Sequence, residues 1–182
     1  RTLKQPFFFF FTQNPLEMEG TYPLPEAQVD RFFFKVKVVY PNKRELINIL
    51  KMTTVKEEPS VEKVINSQEL IELQKLVRKL PCADEIINYA VKFVLKTQPD
   101  RKDIPEIVKR YVRYGSSPRG AQALILAAKA KAFMEAKYSV SKNDIHRVAK
   151  AALRHRILLN FEGEAAEIDK DEIIDEIISF LK

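Results

Sequence analysis

The hydrophobic pattern along the chain changes character near residue 40. Ahead of it, Phe7 to Phe11 is an unbroken aromatic run, the pattern of a strand buried on both faces, and such strands belong mostly to parallel sheets. Phe32 to Val39, FFFKVKVV, is a second strand-like run whose later half alternates through Lys35 and Lys37, which places it nearer a sheet edge. Two strands do not make a stable sheet alone, so this N-terminal piece requires strands that the rest of the pattern does not supply.

Beyond Tyr40-Pro41 the period becomes helical. Lys43 to Met52 sets Leu46, Ile47, Ile49 and Leu50 at helical spacing, and Gln68 to Val77 repeats this with Leu70, Ile71, Leu73, Leu76 and Val77. Pro81 and Asp84 introduce a helix with Ile87, Val91, Val94 and Leu95 on one stripe, and a further helix is expected over Ile104 to Tyr114. Ser117-Pro118 is a strong start signal, because serine caps free amides and proline at the first helical position forfeits no hydrogen bond. The helix it opens, to about Lys137, is rich in alanine and is expected to be central. Ser141 to Asp144 resembles a capping box ahead of Ile145, Val148, Ala149, Ala152 and Leu153. An acidic helix from about Asp169 carries Ile173, Ile174, Ile177, Ile178 and Leu181 on one face.

Charge adds an asymmetry. The chain of 182 residues carries a formal +6, but residues 162–182 hold eight acids against Lys170 and Lys182, a net −6, which leaves +12 on residues 1–161. A body this basic raises nucleic acid as a partner. Its cations are interleaved with acids and form no block, so a solvated surface is the preferred reading and a basic nucleic-acid-binding module the alternative. The longest apolar run falls far short of the roughly 20 residues that span a bilayer, which makes a cytoplasmic protein the expectation.

Few residues offer chemistry. Four glycines, Gly20, Gly115, Gly120 and Gly163, allow neither a G-x-x-x-x-G-K-[ST] phosphate loop nor a G-x-G-x-x-G turn. One cysteine, Cys82, and two histidines, His146 and His155, suggest no metal site, and His155 reads as structural rather than as a general base. The polar residues just past the first strand are more informative. In open α/β sheets the carboxyl ends of strands face the ligand crevice, which places Thr12, Gln13 and Asn14 there. An amide at that point orients a water without adding negative charge near phosphate. Arg31, just ahead of the second run, has the guanidinium geometry to reach phosphate oxygens. The plainer alternative is a capping amide and an arginine paired with Asp30 or Glu26.

Three segments in order carry a family resemblance. TQNPLEMEGTYPLPEAQVDRF at Thr12 to Phe32 closely resembles the segment that MoxR family AAA+ ATPases carry between the sensor 1 strand and an arginine before the next strand. GSSPRG at Gly115 to Gly120 resembles that family's sensor 2 motif, and ALILAAKAKAF with YSVSKNDIHRVAKAALRHR resembles the rest of its helical lid. The resemblance implies Asn14 as the sensor 1 residue, Arg31 as the arginine finger and Arg119 as the sensor 2 arginine. The implied fold is mainly α: an all-α AAA+ lid preceded by the last strands of an α/β P-loop core. Residues 1–40 would belong to that core, 41–66 to a connecting helix and linker, and 67–182 to the lid. The complete protein would use ATP and Mg2+, assemble as a hexameric ring, and remodel client proteins bearing von Willebrand A-type domains; a degenerate, purely architectural member of the same family is a further alternative. The family usually has aliphatic residues where Phe7 to Phe11 stand, and its Walker A and B motifs lie upstream of sensor 1. These 182 residues alone are therefore expected neither to hydrolyse ATP nor to bind it tightly.

Overall fold

The computed structural model describes residues 5–13, 24–54 and 60–182. A short helix α1 (Glu26–Val29) and an amphipathic helix α2 (Lys43–Thr53) precede a helical body. The body comprises α3 (Ser67–Lys79), α4 (Asp84–Leu95), α5 (Glu106–Tyr111), β1 (Val112–Tyr114), α6 (Pro118–Met134), α7 (Lys142–Leu153), β2 (Leu158–Leu159), α8 (Phe161–Ala165) and α9 (Lys170–Phe180). The architecture is mainly α, as expected. Capping boxes open three helices, through Asn42 and Glu45 in α2, Asn66 and Glu69 in α3, and Ser141 and Asp144 in α7. Each satisfies two amides that a helix start would otherwise leave bare.

The alanine-rich α6 is central, packing against α7, α4 and α3. Its Ala123, Ala127, Ala128 and Ala132 are buried, and these small side chains let the larger ones of neighbouring helices close over it. Phe93 of α4, Leu124 of α6, Ile145 and Leu153 of α7, and Ile173, Ile174 and Ile177 of α9 fill one continuous core. Burying each such side chain contributes about 1.5–3 kcal/mol. The expected apolar face of α9 is thus the buried one.

Several expectations are corrected. Among the described residues neither Phe7 to Phe11 nor Phe32 to Val39 joins a sheet, and the five Phe7–Phe11 rings are 52–88% exposed. A strand exists only through the hydrogen bonds of a neighbour, and the described residues offer these runs none. The rings of Phe9 and Phe11, two residues apart, both approach Phe32, at centroid distances of 6.0 and 6.4 Å, so the first run is extended with alternate rings on one side. The sheet among the described residues is instead the antiparallel pair β1 and β2, with Val112 opposite Leu159.

In α4 the buried face is Ile86, Tyr89, Ala90, Phe93 and Val94, while Ile87, Val91 and Leu95 of the expected stripe are about two-fifths exposed. This helix is apolar on two faces, and helical periodicity does not rank one above the other; the face bearing two aromatic rings is buried. Helix α5 ends at Tyr111 rather than Tyr114 because the chain turns there into β1. Helix α6 stops at Met134, two residues before Ala136 takes φ of 52°, in the left-handed region that breaks a helix.

Candidate functional site

The Gly115-to-Gly120 segment turns from β1 into α6, and α4 shapes the turn. Thr97, fully buried just past the end of α4, donates its hydroxyl to Val94 O (2.6 Å) and accepts from Ser116 N (2.9 Å). Gln98 Nε2 donates to Ser116 O at 2.8 Å. The approach is close: a Cβ on Gly115 would stand 2.4 Å from Thr97 O, and one on Gly120 would stand 2.0 Å from Ser116 Oγ. Gly115 therefore leaves no room for a side chain against the Thr97 backbone, whereas a side chain at 120 would displace those of Ser116 and Leu153.

Ser117 caps α6 by accepting from Arg119 N at 3.2 Å, with Pro118 at the first helical position. The same hydroxyl lies 2.8 and 2.9 Å from the two carboxylate oxygens of Asp30, to which it donates, and Arg119 Nη1 donates to Asp30 Oδ2 at 2.9 Å. A carboxylate thus sits at the positive end of a 17-residue helix against an arginine and a hydroxyl, the donor set that also suits phosphate. Partial burial alone would raise the Asp30 pKa, but the hydrogen bonds from Arg119 and Ser117 and the nearby Arg156 charge outweigh it and hold the group below its ordinary value. The Arg119 side chain remains 54% exposed. An open hollow of about 210 Å³ adjoins this cluster, lined by Glu26, Asp30, Tyr114, Gly115, Ser117 and Arg156 among others. That is below the roughly 300–1,000 Å³ of complete small-molecule pockets, so these residues form part of a site.

Behind Asp30 stands Arg156, with its side chain 2% exposed. Its Nη2 donates to the carbonyls of Asp30 (3.1 Å) and Phe32 (2.7 Å), and its Nη1 donates to Ala152 O. Its Nε lies 3.3 Å from Asp30 Oδ1, within ion-pair range but not aligned as a hydrogen bond. His155 Nε2 lies 2.8 Å from Phe32 O, to which it donates. Burial drives the His155 pKa down to about 4, with the Arg156 and Lys35 charges adding to the effect and the Phe32 hydrogen bond opposing it. The expectation that His155 is structural agrees with this geometry: a neutral ring holding a backbone carbonyl.

The candidate residues named from sequence occupy distinct settings. Arg119 is at the helix start, against Asp30. Arg31 follows Asp30 directly and is exposed, and among the described residues its side chain forms no hydrogen bond or ion pair; Asp30 is engaged by Arg119 and Arg156 instead. Asn14 lies outside the described residues, and Thr12 and Gln13 are exposed. Burial raises the Cys82 thiol pKa, which fits a bystander. His146 lies 2.6 Å from the Tyr89 hydroxyl. Sequence reasoning missed Thr97, Gln98, Asp30 and Arg156 as parts of the site. For Asp30 the adjacent arginine was the misleading signal; Thr97 and Gln98 lie 19 and 18 residues from Ser116, and Arg156 lies 126 from Asp30.

Ion pairs such as Lys37–Asp169, Arg110–Glu162, Arg119–Asp30, Lys142–Glu85 and Lys150–Asp175 mix the charges over the surface. This favours the solvated-surface reading of the +12 body. No helix among the described residues is long and apolar enough to cross a membrane.

Comparison with known proteins agrees with this arrangement. Residues 104–177 match the AAA lid domain family, and residues 1–34 match the ATPase family associated with various cellular activities (AAA). A crystal structure of a candidate ATPase from Cytophaga hutchinsonii superposes with a TM-score of 0.93 at 34% identity, covering 100% of this chain and 56% of that one. The fold and both matches define an AAA+ lid preceded by part of an AAA+ core.

Among curated relatives, Chaperone MoxR1 of Mycobacterium tuberculosis is 33% identical over 97% of this chain and 46% of its own length. Protein MoxR of Methylorubrum extorquens is 27% identical over 90% and 52%. YeaC of Bacillus subtilis, described as uncharacterised, is 39% identical over 99% and 54%. The chain belongs to the MoxR-like AAA+ ATPases and corresponds to their C-terminal part. It spans about half the length of the curated relatives it matches.

Proposed function

We propose that this chain supplies the sensing half of a MoxR-like AAA+ ATPase that couples ATP binding and hydrolysis to chaperone-like remodelling of client proteins in the cytoplasm. The observation that carries the reading is the Ser117–Arg119 helix start, whose anion-donor set is engaged by the Asp30 carboxylate. When bound, ATP with Mg2+ would supply the transferable phosphoryl group and screen its charge. The Ser117 hydroxyl, the Arg119 guanidinium and the start of α6 are donors of the kind that suits phosphate.

In this reading Arg119 is the sensor 2 arginine. It exchanges the Asp30 carboxylate for phosphate oxygens, and the N-terminus of α6 favours the same charge. Asn14 is the sensor 1 residue, orienting a water with its amide. Arg31, exposed and without a partner among the described residues, reaches a neighbouring subunit's phosphate as an arginine finger; such a residue is worth about 10³ to 10⁵ in rate. A finger that acts between subunits requires a neighbouring subunit, for which the family resemblance suggests a hexameric ring, and the same resemblance points to clients with von Willebrand A-type domains. "Chaperone" in the name of the Mycobacterium relative supports the remodelling role.

Steady-state kinetics and nucleotide binding of Arg31→Ala in the full-length protein test the reading. The expected result is a turnover loss of about 10³-fold or more with nucleotide affinity largely retained. Parallel loss of affinity would remove the finger role.

A further inference from the structure

The backbone on either side of Arg31 is gripped by the helical body. Arg156 Nη2 donates to Asp30 O at 3.1 Å and to Phe32 O at 2.7 Å, the two carbonyls flanking Arg31, and His155 Nε2 holds Phe32 O at 2.8 Å. Farther along, Lys35 N donates to Ala151 O at 2.9 Å and Arg154 Nη1 to Lys35 O at 3.3 Å. The extended segment is thus fastened to the C-terminal end of α7. The two prongs of the Arg156 guanidinium divide the work, Nη2 holding the Asp30 and Phe32 carbonyls and Nη1 holding Ala152 O, while Nε faces the Asp30 carboxylate as an ion pair at 3.3 Å. The Asp30 carboxylate joins this clamp to the start of α6, through Arg119 Nη1 at 2.9 Å and Ser117 Oγ at 2.8 Å.

We propose that Arg156 and Asp30 are positioning residues for Arg31, making the backbone that carries Arg31 and the helix start that carries Arg119 one mechanical unit. The inference rests on the finger and sensor 2 roles proposed above. Displacement of the Asp30 carboxylate from Arg119 by phosphate changes one end of this unit, and Arg156 passes the change to the backbone on both sides of Arg31. The occupancy of one subunit's nucleotide site thereby sets the finger presented to the next.

The test is a mutant cycle in the full-length protein, reading kcat, nucleotide Kd and melting temperature for Arg156→Lys, Asp30→Asn and each combined with Arg31→Ala. Lysine at 156 keeps the charge but has one nitrogen in place of the fork that holds Ala152 O with one prong and the Asp30 and Phe32 carbonyls with the other, and asparagine at 30 keeps the side-chain shape. Both single variants are expected to lower kcat by about tenfold or more while nucleotide Kd weakens by less than about threefold. Each double variant is expected to be no slower than Arg31→Ala alone, because groups acting through one residue are not additive. A general structural role would instead multiply the losses and lower affinity, which overturns the proposal. Should Arg156→Lys fail to fold, Asp30→Asn decides, and unchanged kcat in it overturns the proposal. Full turnover by Arg31→Ala would remove the finger reading as well; a slow Arg31→Ala beside fast Asp30→Asn and Arg156→Lys overturns this inference alone.

Discussion

His155 shows how a single residue's setting differs from what its type suggests. Flanked in sequence by Arg154 and Arg156, it is 5% exposed, neutral, and bonded to a backbone carbonyl. Arg156 Nη1 lies 2.8 Å from the same ring nitrogen, and its positive charge opposes protonation of the imidazole. Its pKa of about 4 lies below the ordinary 6.5, so the unfolded chain binds a proton more readily than the folded one. Stability present above about pH 6.5 is therefore lost as pH falls toward 4, on the order of 3 kcal/mol over that window. Melting temperature should fall between pH 7 and pH 4.5, and His155→Gln should flatten most of that slope. His146, whose pKa burial also lowers, contributes in the same direction and accounts for a residual slope. A slope unchanged in His155→Gln would mean that the ring is hydrated in solution.

At the scale of elements, the helix starts were legible because their chemistry is local. Ser117-Pro118 and Ser141 to Asp144 announce α6 and α7 within four residues, and the structure caps both as expected. What fits against α6 was not legible. The turn before it is held by Thr97 and Gln98, and the Thr97 carbonyl sits where a Gly115 side chain would begin. That neighbour is backbone and cannot swing aside. Gly115→Ala should cost about 1–3 kcal/mol, read as a lower denaturant midpoint at unchanged slope. Choosing between the two apolar stripes of α4 likewise depended on neighbours, since both have helical period and only one is buried in the core.

For the whole molecule, the N-terminal piece and the helical body depend on each other unequally. The body has a continuous core from Ile86 to Ile177, whereas the phenylalanine run and α2 bury no residue among those described. The hollow of about 210 Å³ beside Asp30 and Ser117 is smaller than a complete small-molecule site, and a partial site cannot assemble the in-line geometry that phosphoryl transfer needs. The 182-residue chain by itself should therefore show no Mg2+-dependent ATP turnover. Turnover proportional to its own concentration, measured by phosphate release from purified chain, would contradict this and locate a complete site within it.

The sequence by itself determined the class of the protein. Helix periodicity, caps and the order of three motif segments depend on residues close together along the chain, and they pointed to a mainly α AAA+ lid with Arg119 at a helix start and Arg31 beside Asp30. Only the tertiary structure decided which partners those residues have. Asp30 lies 89 positions from Arg119 and 126 from Arg156, and the choice of Arg119 over adjacent Arg31 follows from α6 and α7 converging on one carboxylate. The two strand expectations failed for the same reason. Local pattern specifies a helix because its hydrogen bonds are internal, but a strand or an ion pair becomes real only when a distant segment arrives to complete it.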